Sequence, residues 1–237
     1  MMDIILASGS PRRHELLTKA KVDFTIMSVD IDEAPYQDES PKDYIERMVA
    51  TKAAAAIAQL NTELKTSQKD NATPQVAIAK PTIILTADTI GVLPDGKTVL
   101  VKPKDFQHAS TMWQQMSDDT HQVWTAVQAT LVSVSVSDDG TTDTGIDANS
   151  EPLQVLWQRQ ITERTEVTFI PLSQAMMERY WHSGEPKDKA GGYGIQGLAA
   201  AWVTHINGSY TNVVGLPLAQ TLALIDAAQS RANVESR

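Results

Sequence analysis

Ile4-Ile5-Leu6-Ala7-Ser8-Gly9-Ser10-Pro11-Arg12-Arg13 is the stretch from which the class of the fold is read. An apolar run at residues 4–7 predicts a buried strand, and Leu16 and Leu17 beyond it fit a helix. Gly9 allows a tight turn between them. Ser10 suits a helix N-cap, and Pro11 suits the first turn, where its missing N–H would have no partner. The helix start then offers free amides and a partial positive charge, with Arg12 and Arg13 added, a combination that suits a phosphate. The same pattern also serves a plain β–turn–α connection with two solvated arginines, and the local sequence leaves both readings open.

The 237 residues are 42% hydrophobic and 21% charged, enough for a substantial core in one large or two small domains. A formal net charge of -9 argues against nucleic acid as a partner, since that grip needs a basic face. It leaves room for a small polyanion held by a few fixed cations. With no cysteine, thiol nucleophiles, disulfides and cysteine-bound metals are ruled out. No apolar run reaches membrane-spanning length, and the first residues lack the basic region of a signal sequence, so no membrane partner and a cytoplasmic location are expected.

Further along, residues 23–27 read as a strand, followed by the acidic turn Asp30-Ile31-Asp32-Glu33. Ser40 and Pro41 open a strong helix with Tyr44, Ile45, Met48, Val49, Ala53, Ile57 and Leu60 at helical spacing. Lys52 falls on or beside that apolar stripe: either it snorkels to the surface or it aims a cation into a site. Residues 61–81 read as an extended polar loop, with room for a frayed helix end at its start. Residues 82–87 predict a buried central strand ending on Asp88-Thr89, where α/β proteins place ligands. An Asp there also serves as a loop cap.

A hairpin is expected around Pro94-Asp95-Gly96-Lys97, and Pro103 holds Lys102 extended. Residues 105–116 predict a helix whose Met112, Trp113 and Met116 belong to the core. Residues 121–137 alternate as a strand, with a phase slip after Leu131 that a bulge would explain. Residues 153–169 form its partner, and 138–151 an acidic tip. None of the five histidines shows metal-ligand spacing. Ser173 caps a helix over 174–182. The glycine-rich run Asp188-Lys189-Ala190-Gly191-Gly192-Tyr193-Gly194-Ile195-Gln196-Gly197 can bring backbone close to a flat ligand, with Tyr193 or Gln196 reading an edge. Residues 199–206 and 209–214 read as a strand pair, and a final helix runs from Pro217 to about Gln229, followed by a frayed tail. Strands, helices and hairpins in this order predict an α/β chain with a mixed, partly antiparallel sheet.

Several of these segments, in this order, closely resemble the Maf family of nucleoside triphosphate pyrophosphatases: residues 6–13, Ala87-Asp88-Thr89, Lys102-Pro103, Thr120-His121-Gln122-Val123 with Thr125-Ala126-Val127, residues 188–197 and Val214-Gly215-Leu216-Pro217. The resemblance implies a single Maf-like catalytic domain over 1–237, with an elongated α/β fold similar to inosine triphosphate pyrophosphatases and loop insertions at 61–81 and 138–151. It implies hydrolysis of a nucleoside triphosphate to the monophosphate and pyrophosphate with a divalent metal, Mg or Mn. Asp88 matches the family's general base, and Arg12, Lys52 and Lys102 its phosphate-side cations. Ser8, Arg13, Glu33 and Lys189 match further active-site positions, with Glu33 and Asp88 as metal carboxylates. Arg12, Thr89 and Gln196 match positions tied to substrate choice. The Tyr193-Gly194-Ile195-Gln196-Gly197 form looks like the branch acting on dTTP and UTP, whereas a branch acting on 7-methyl-GTP carries glutamate where Gln196 stands. A homodimer is implied at family level, and a nucleotide-binding regulator of cell division is the rival class.

The physical chemistry agrees with the pyrimidine branch. A neutral amide donates to a pyrimidine carbonyl while accepting from its ring N–H, whereas a positively charged methylguanine favours a carboxylate. One departure concerns the helix end Met116-Ser117-Asp118-Asp119, where the family usually has glycine after the serine.

Overall fold

The computed structural model describes residues 2–70, 78, 80–134 and 152–235. Its chain order is β1 (Asp3–Ala7), α1 (Pro11–Lys19), β2 (Thr25–Met27), α2 (Pro41–Asp70), β3 (Thr82–Val92), β4 (Val99–Leu100), α3 (Phe106–Met116), β5 (Thr120–Val134), β6 (Leu153–Phe169), α4 (Gln174–His182), β7 (Val203–Asn207), α5 (Tyr210–Val214) and α6 (Leu218–Glu235). The strands make one open seven-stranded sheet in the order β2-β1-β3-β5-β6-β7, with β4 on β3. The pairs β1–β2 and β1–β3 are parallel and the rest antiparallel, giving the mixed α/β class expected. Among the described residues no helix is long and apolar enough to cross a membrane.

Strand alternation sorts the core into two faces. Ile4, Leu6, Ile83, Leu85 and Ala87 point to one face, where Leu16 and Leu17 of α1 and Leu224, Ile225 and Ala228 of α6 cover them. Ile5, Ala7 and Ile84 point to the other, against Ala56 and Leu60 of α2. A further aromatic cluster of Trp113, Phe169, Tyr180, Tyr193 and Trp202 packs between α3, α4 and the β5–β6 end. Trp113 and Trp202 meet edge to face, and the Trp113 indole N–H donates to the Gly191 carbonyl at 3.1 Å.

Several expectations needed correction. β3 does not end at Asp88 but continues to Val92, because β5 pairs with it in eleven consecutive register steps, Thr82↔Val132 to Val92↔Gln122. The expected loop at 61–81 is helical through Asp70. Leu60 and Leu64 still meet the core there, Thr62 and Thr66 donate to the carbonyls four residues back, and the Asn61 side chain accepts from Leu153 N–H at 2.9 Å. Residues 199–202 form a 3-10 turn, with Ala199 and Trp202 buried at its three-residue period, so β7 begins only at Val203. The valine-rich run read as a strand at 209–214 is α5. Ser209 Oγ accepts from Asn212 N–H, and the buried Asn212 amide donates to Val123 O and Thr165 Oγ1, both at 2.9 Å. The expected frayed tail is helical to Glu235. The bulge after Leu131 stands as expected, and the 138–151 tip lies outside the described residues.

Candidate active site

A cleft of about 1250 Å³ opens where β1 turns away from β3. The two strands pair only as far as Leu6↔Leu85, and β4 joins β3 only at Gly91↔Leu100. Between those points β3 carries Asp88 and Thr89 past an edge that neither strand covers. By strand alternation Asp88 faces α2 and Thr89 faces α1 and α5. All ten residues named from the sequence line this cleft: Ser8, Arg12, Arg13, Glu33, Lys52, Asp88, Thr89, Lys102, Lys189 and Gln196.

Lys52 settles the ambiguity of its place on α2. Its Nζ donates to Asp88 Oδ1 at 2.7 Å and lies 2.9 Å from Glu33 Oε1, with only 12% of its side chain exposed. It is a cation aimed inward, bridging two carboxylates. Partial burial works against the Glu33 charge, but the Lys52 hydrogen bond and the fields of Lys52, Lys102 and Arg13 prevail and hold its carboxyl below the usual range.

The loop carrying Glu33 is fastened to α2. Tyr44 donates its hydroxyl to the Glu33 carbonyl at 3.0 Å, and Arg47 reaches Ala34 O and grips Glu39 through two bonds of 2.6 Å. Burial, reinforced by the charges of Asp88 and Glu33, pushes the Tyr44 hydroxyl up to about 12, so it stays a donor. The sequence presented Tyr44 only as an apolar helix position. The missed signal was its phase, eight residues before Lys52 on the same face of α2.

Arg13 is nearly buried, and three of the five N–H donors of a guanidinium bond within the protein: to Gly215 O at 2.8 Å, Ser8 Oγ at 3.1 Å and Thr89 Oγ1 at 3.0 Å. It therefore ties the first turn to β3 and to the end of α5. Burial lowers its pKa despite the nearby Asp88. Arg12 remains half-exposed at the helix start. Ser10 occupies the N-cap position without a side-chain capping bond, and His14 Nε2 lies 2.6 Å from Ser8 O.

The glycine-rich run forms the opposite wall. Gly191 and Gly192 both adopt positive φ, 71° and 65°, which lets the chain double back beside Trp113. Tyr193 lines the cleft but is mostly buried, with its hydroxyl 2.7 Å from the buried His121 Nε2. Gln196 is exposed on the cleft. Lys104, His108 and Glu185, which the sequence did not single out, also line the cleft.

Among the lining residues, Arg12, Arg13, Lys52, Lys102, Lys104 and Lys189 face only Glu33, Asp88 and Glu185. An excess of cations in a protein of net charge -9 focuses a positive field on one concavity, which suits a polyphosphate. Among the described residues no group of three or more His, Cys, Asp or Glu could hold a metal. The two carboxylates on Lys52 are hard oxygen donors, of the kind that suits a hard divalent cation.

A family model described as Maf-like protein matches residues 3–228. A dTTP/UTP pyrophosphatase of Psychrobacter arcticus is 62% identical over 236 residues, covering 99% of each chain. One from Psychrobacter cryohalolentis is 64% identical over 224 residues, covering 94% of this chain and 96% of that protein. One from Vibrio parahaemolyticus is 40% identical over 225 residues, with the same coverage of 94% and 96%.

Proposed function

Because this chain belongs to the Maf family, we propose that the cleft hydrolyses dTTP and UTP to the nucleoside monophosphate and pyrophosphate. The observation that carries this reading is a carboxylate, Asp88, set in a cation-rich cleft of an acidic protein, opposite an exposed Gln196.

In this mechanism water attacks the α-phosphorus in line. Asp88 orients that water and takes its proton, with Lys52 holding its carboxylate in place. Lys52, held by Asp88 and Glu33, lies ready to neutralise charge on the phosphate chain. Arg12 and Lys102 add charge to the β- and γ-phosphates and stabilise pyrophosphate as it leaves. Lys189 serves the same anion from the glycine-rich wall. Glu33 and Asp88 would hold Mg or Mn, which would supply charge neutralisation to the triphosphate. Arg13, with Ser8 and Thr89 on its guanidinium, keeps these parts in register. Gln196 selects the pyrimidine, since its amide both donates and accepts. The reading places the enzyme in the cytoplasm, as a homodimer acting on free nucleotide.

Pyrophosphate release from UTP and dTTP with magnesium or manganese, in wild type and in Asp88→Asn, tests this function. A loss of about 10²–10⁴-fold in kcat is expected for the variant. Equal rates would remove Asp88 as base, and tight nucleotide binding without turnover in wild type would instead fit a regulator.

A further inference from the structure

Residues 194–197 form a β-turn closed by Gly197 N–H donating to Gly194 O at 3.1 Å, which puts Gln196 at its third position. The entrance of the turn is anchored in the core: Gly194 N–H donates to the Tyr180 hydroxyl at 3.2 Å, and the preceding Tyr193 hydroxyl meets His121. The exit is held differently. Leu198 N–H donates to the Glu185 carboxylate, 3.1 Å from Oε2 and 3.3 Å from Oε1. A Cβ on Gly197 would overlap Glu185 Oε2, so the carboxylate lies flat on the backbone just past Gln196. Glu185 is itself tied down by Lys189, whose Nζ donates to its carbonyl at 2.6 Å and whose stem runs along Gly194.

We propose that Glu185 is a positioning residue for base selection: by holding Leu198 N–H it sets where Gln196 meets the pyrimidine. An ionised acceptor grips a backbone N–H more strongly than a neutral one does. A turn with a fixed entrance and a released exit would let its third residue swing. The inference rests on the reading that Gln196 contacts the base.

Steady-state kinetics with UTP and dTTP, and with GTP as a purine comparator, test it in wild type, Glu185→Ala, Glu185→Gln, Gln196→Ala and the Glu185→Ala/Gln196→Ala pair. Glu185→Ala is expected to raise KM for both pyrimidines about tenfold, with kcat within about threefold of wild type and a smaller pyrimidine-over-purine preference. Glu185→Gln keeps an acceptor of the same reach and is expected to stay within about threefold of wild type in KM. In the Gln196→Ala background, Glu185→Ala is expected to add less than about twofold, because both changes act through one contact. Should Glu185→Ala not fold, Gly197→Ala displaces the same carboxylate and is scored by the same KM and preference criteria. An unchanged preference in Glu185→Ala, full additivity of the pair, or a Glu185→Gln as damaging as the alanine would overturn the proposal. If Gln196→Ala lowers the preference and Glu185→Ala does not, only the role of Glu185 falls. If Gln196→Ala itself changes nothing, the base reading fails and this inference fails with it.

Discussion

Replacing Arg13 by lysine keeps a positive charge and removes a geometry. The guanidinium spans Gly215 O, Ser8 Oγ and Thr89 Oγ1 at 2.8, 3.1 and 3.0 Å, and a single ammonium can replace one of those contacts. Two charge-assisted bonds are then lost, each worth about 1.5 kcal/mol. Thr89 keeps a partner in Thr125 Oγ1 at 3.0 Å, which limits its loss, whereas the Gly215 carbonyl depends mainly on Arg13. Burial already disfavours the charge at this position, and an ammonium, being more strongly hydrated, suffers more from it. The sum is a destabilisation of about 3 kcal/mol, which at a typical urea dependence moves the unfolding midpoint down by about 1–1.5 M. Arg12→Lys, at the half-exposed neighbour, is the control and is expected to shift stability by less than about 0.5 kcal/mol. A midpoint for Arg13→Lys within about 0.3 M of wild type would show that charge, not the three-way tie, is what position 13 supplies.

Asp118 sits at φ 55°, a conformation glycine adopts more easily, so Asp118→Gly is expected to gain about 0.5–1 kcal/mol and raise the melting temperature by about 2 °C in calorimetry. Burial pushes His121 down to about 4, so the folded protein keeps it neutral while the unfolded chain protonates it below about 6.5. Folding stability therefore falls as pH drops from about 6.5 to 4, by about 3 kcal/mol in all, and a His121→Gln variant should lose that part of the slope in urea titrations at successive pH values. Lys52→Met leaves Asp88 and Glu33 without their shared cation; KM for UTP is expected to rise at least about tenfold, and an unchanged KM would exclude Lys52 from phosphate binding.

What could be read from the chain divides along physical lines. The succession of β1, turn and α1, the β5 bulge and the capped starts of α2 and α4 follow from local chemistry that tertiary contacts reinforce. Lys52 was visible because it interrupts an apolar stripe, and Gln196 because it interrupts a run of glycines. α5 was misread because Thr211, Val213 and Val214 favour strand, while its helical turn depends on a buried Asn212 bonded to residues of β5 and β6. The length of β3 was misjudged because Asp88 and Thr89 looked like an end, and only pairing with β5 carries the strand through them. The work of Arg13 was hidden because its partners Thr89 and Gly215 lie 76 and 202 residues away. The core partner of Tyr193 was hidden in the same way, because His121 lies 72 residues away.

The uninterrupted passage of β3 through Asp88 gives the two halves of the cleft different lifetimes. The backbone of Asp88 is paired to Ala126 in the middle of an eleven-step ladder, whereas Glu33 rides on a loop fastened by a few side chains of α2. In hydrogen–deuterium exchange the β3 amides that donate to β5 around Asp88 are expected to open far more rarely than those around Glu33, which open by local release. The Glu33 side of the cleft can then open locally while the strand that carries Asp88 stays paired with β5.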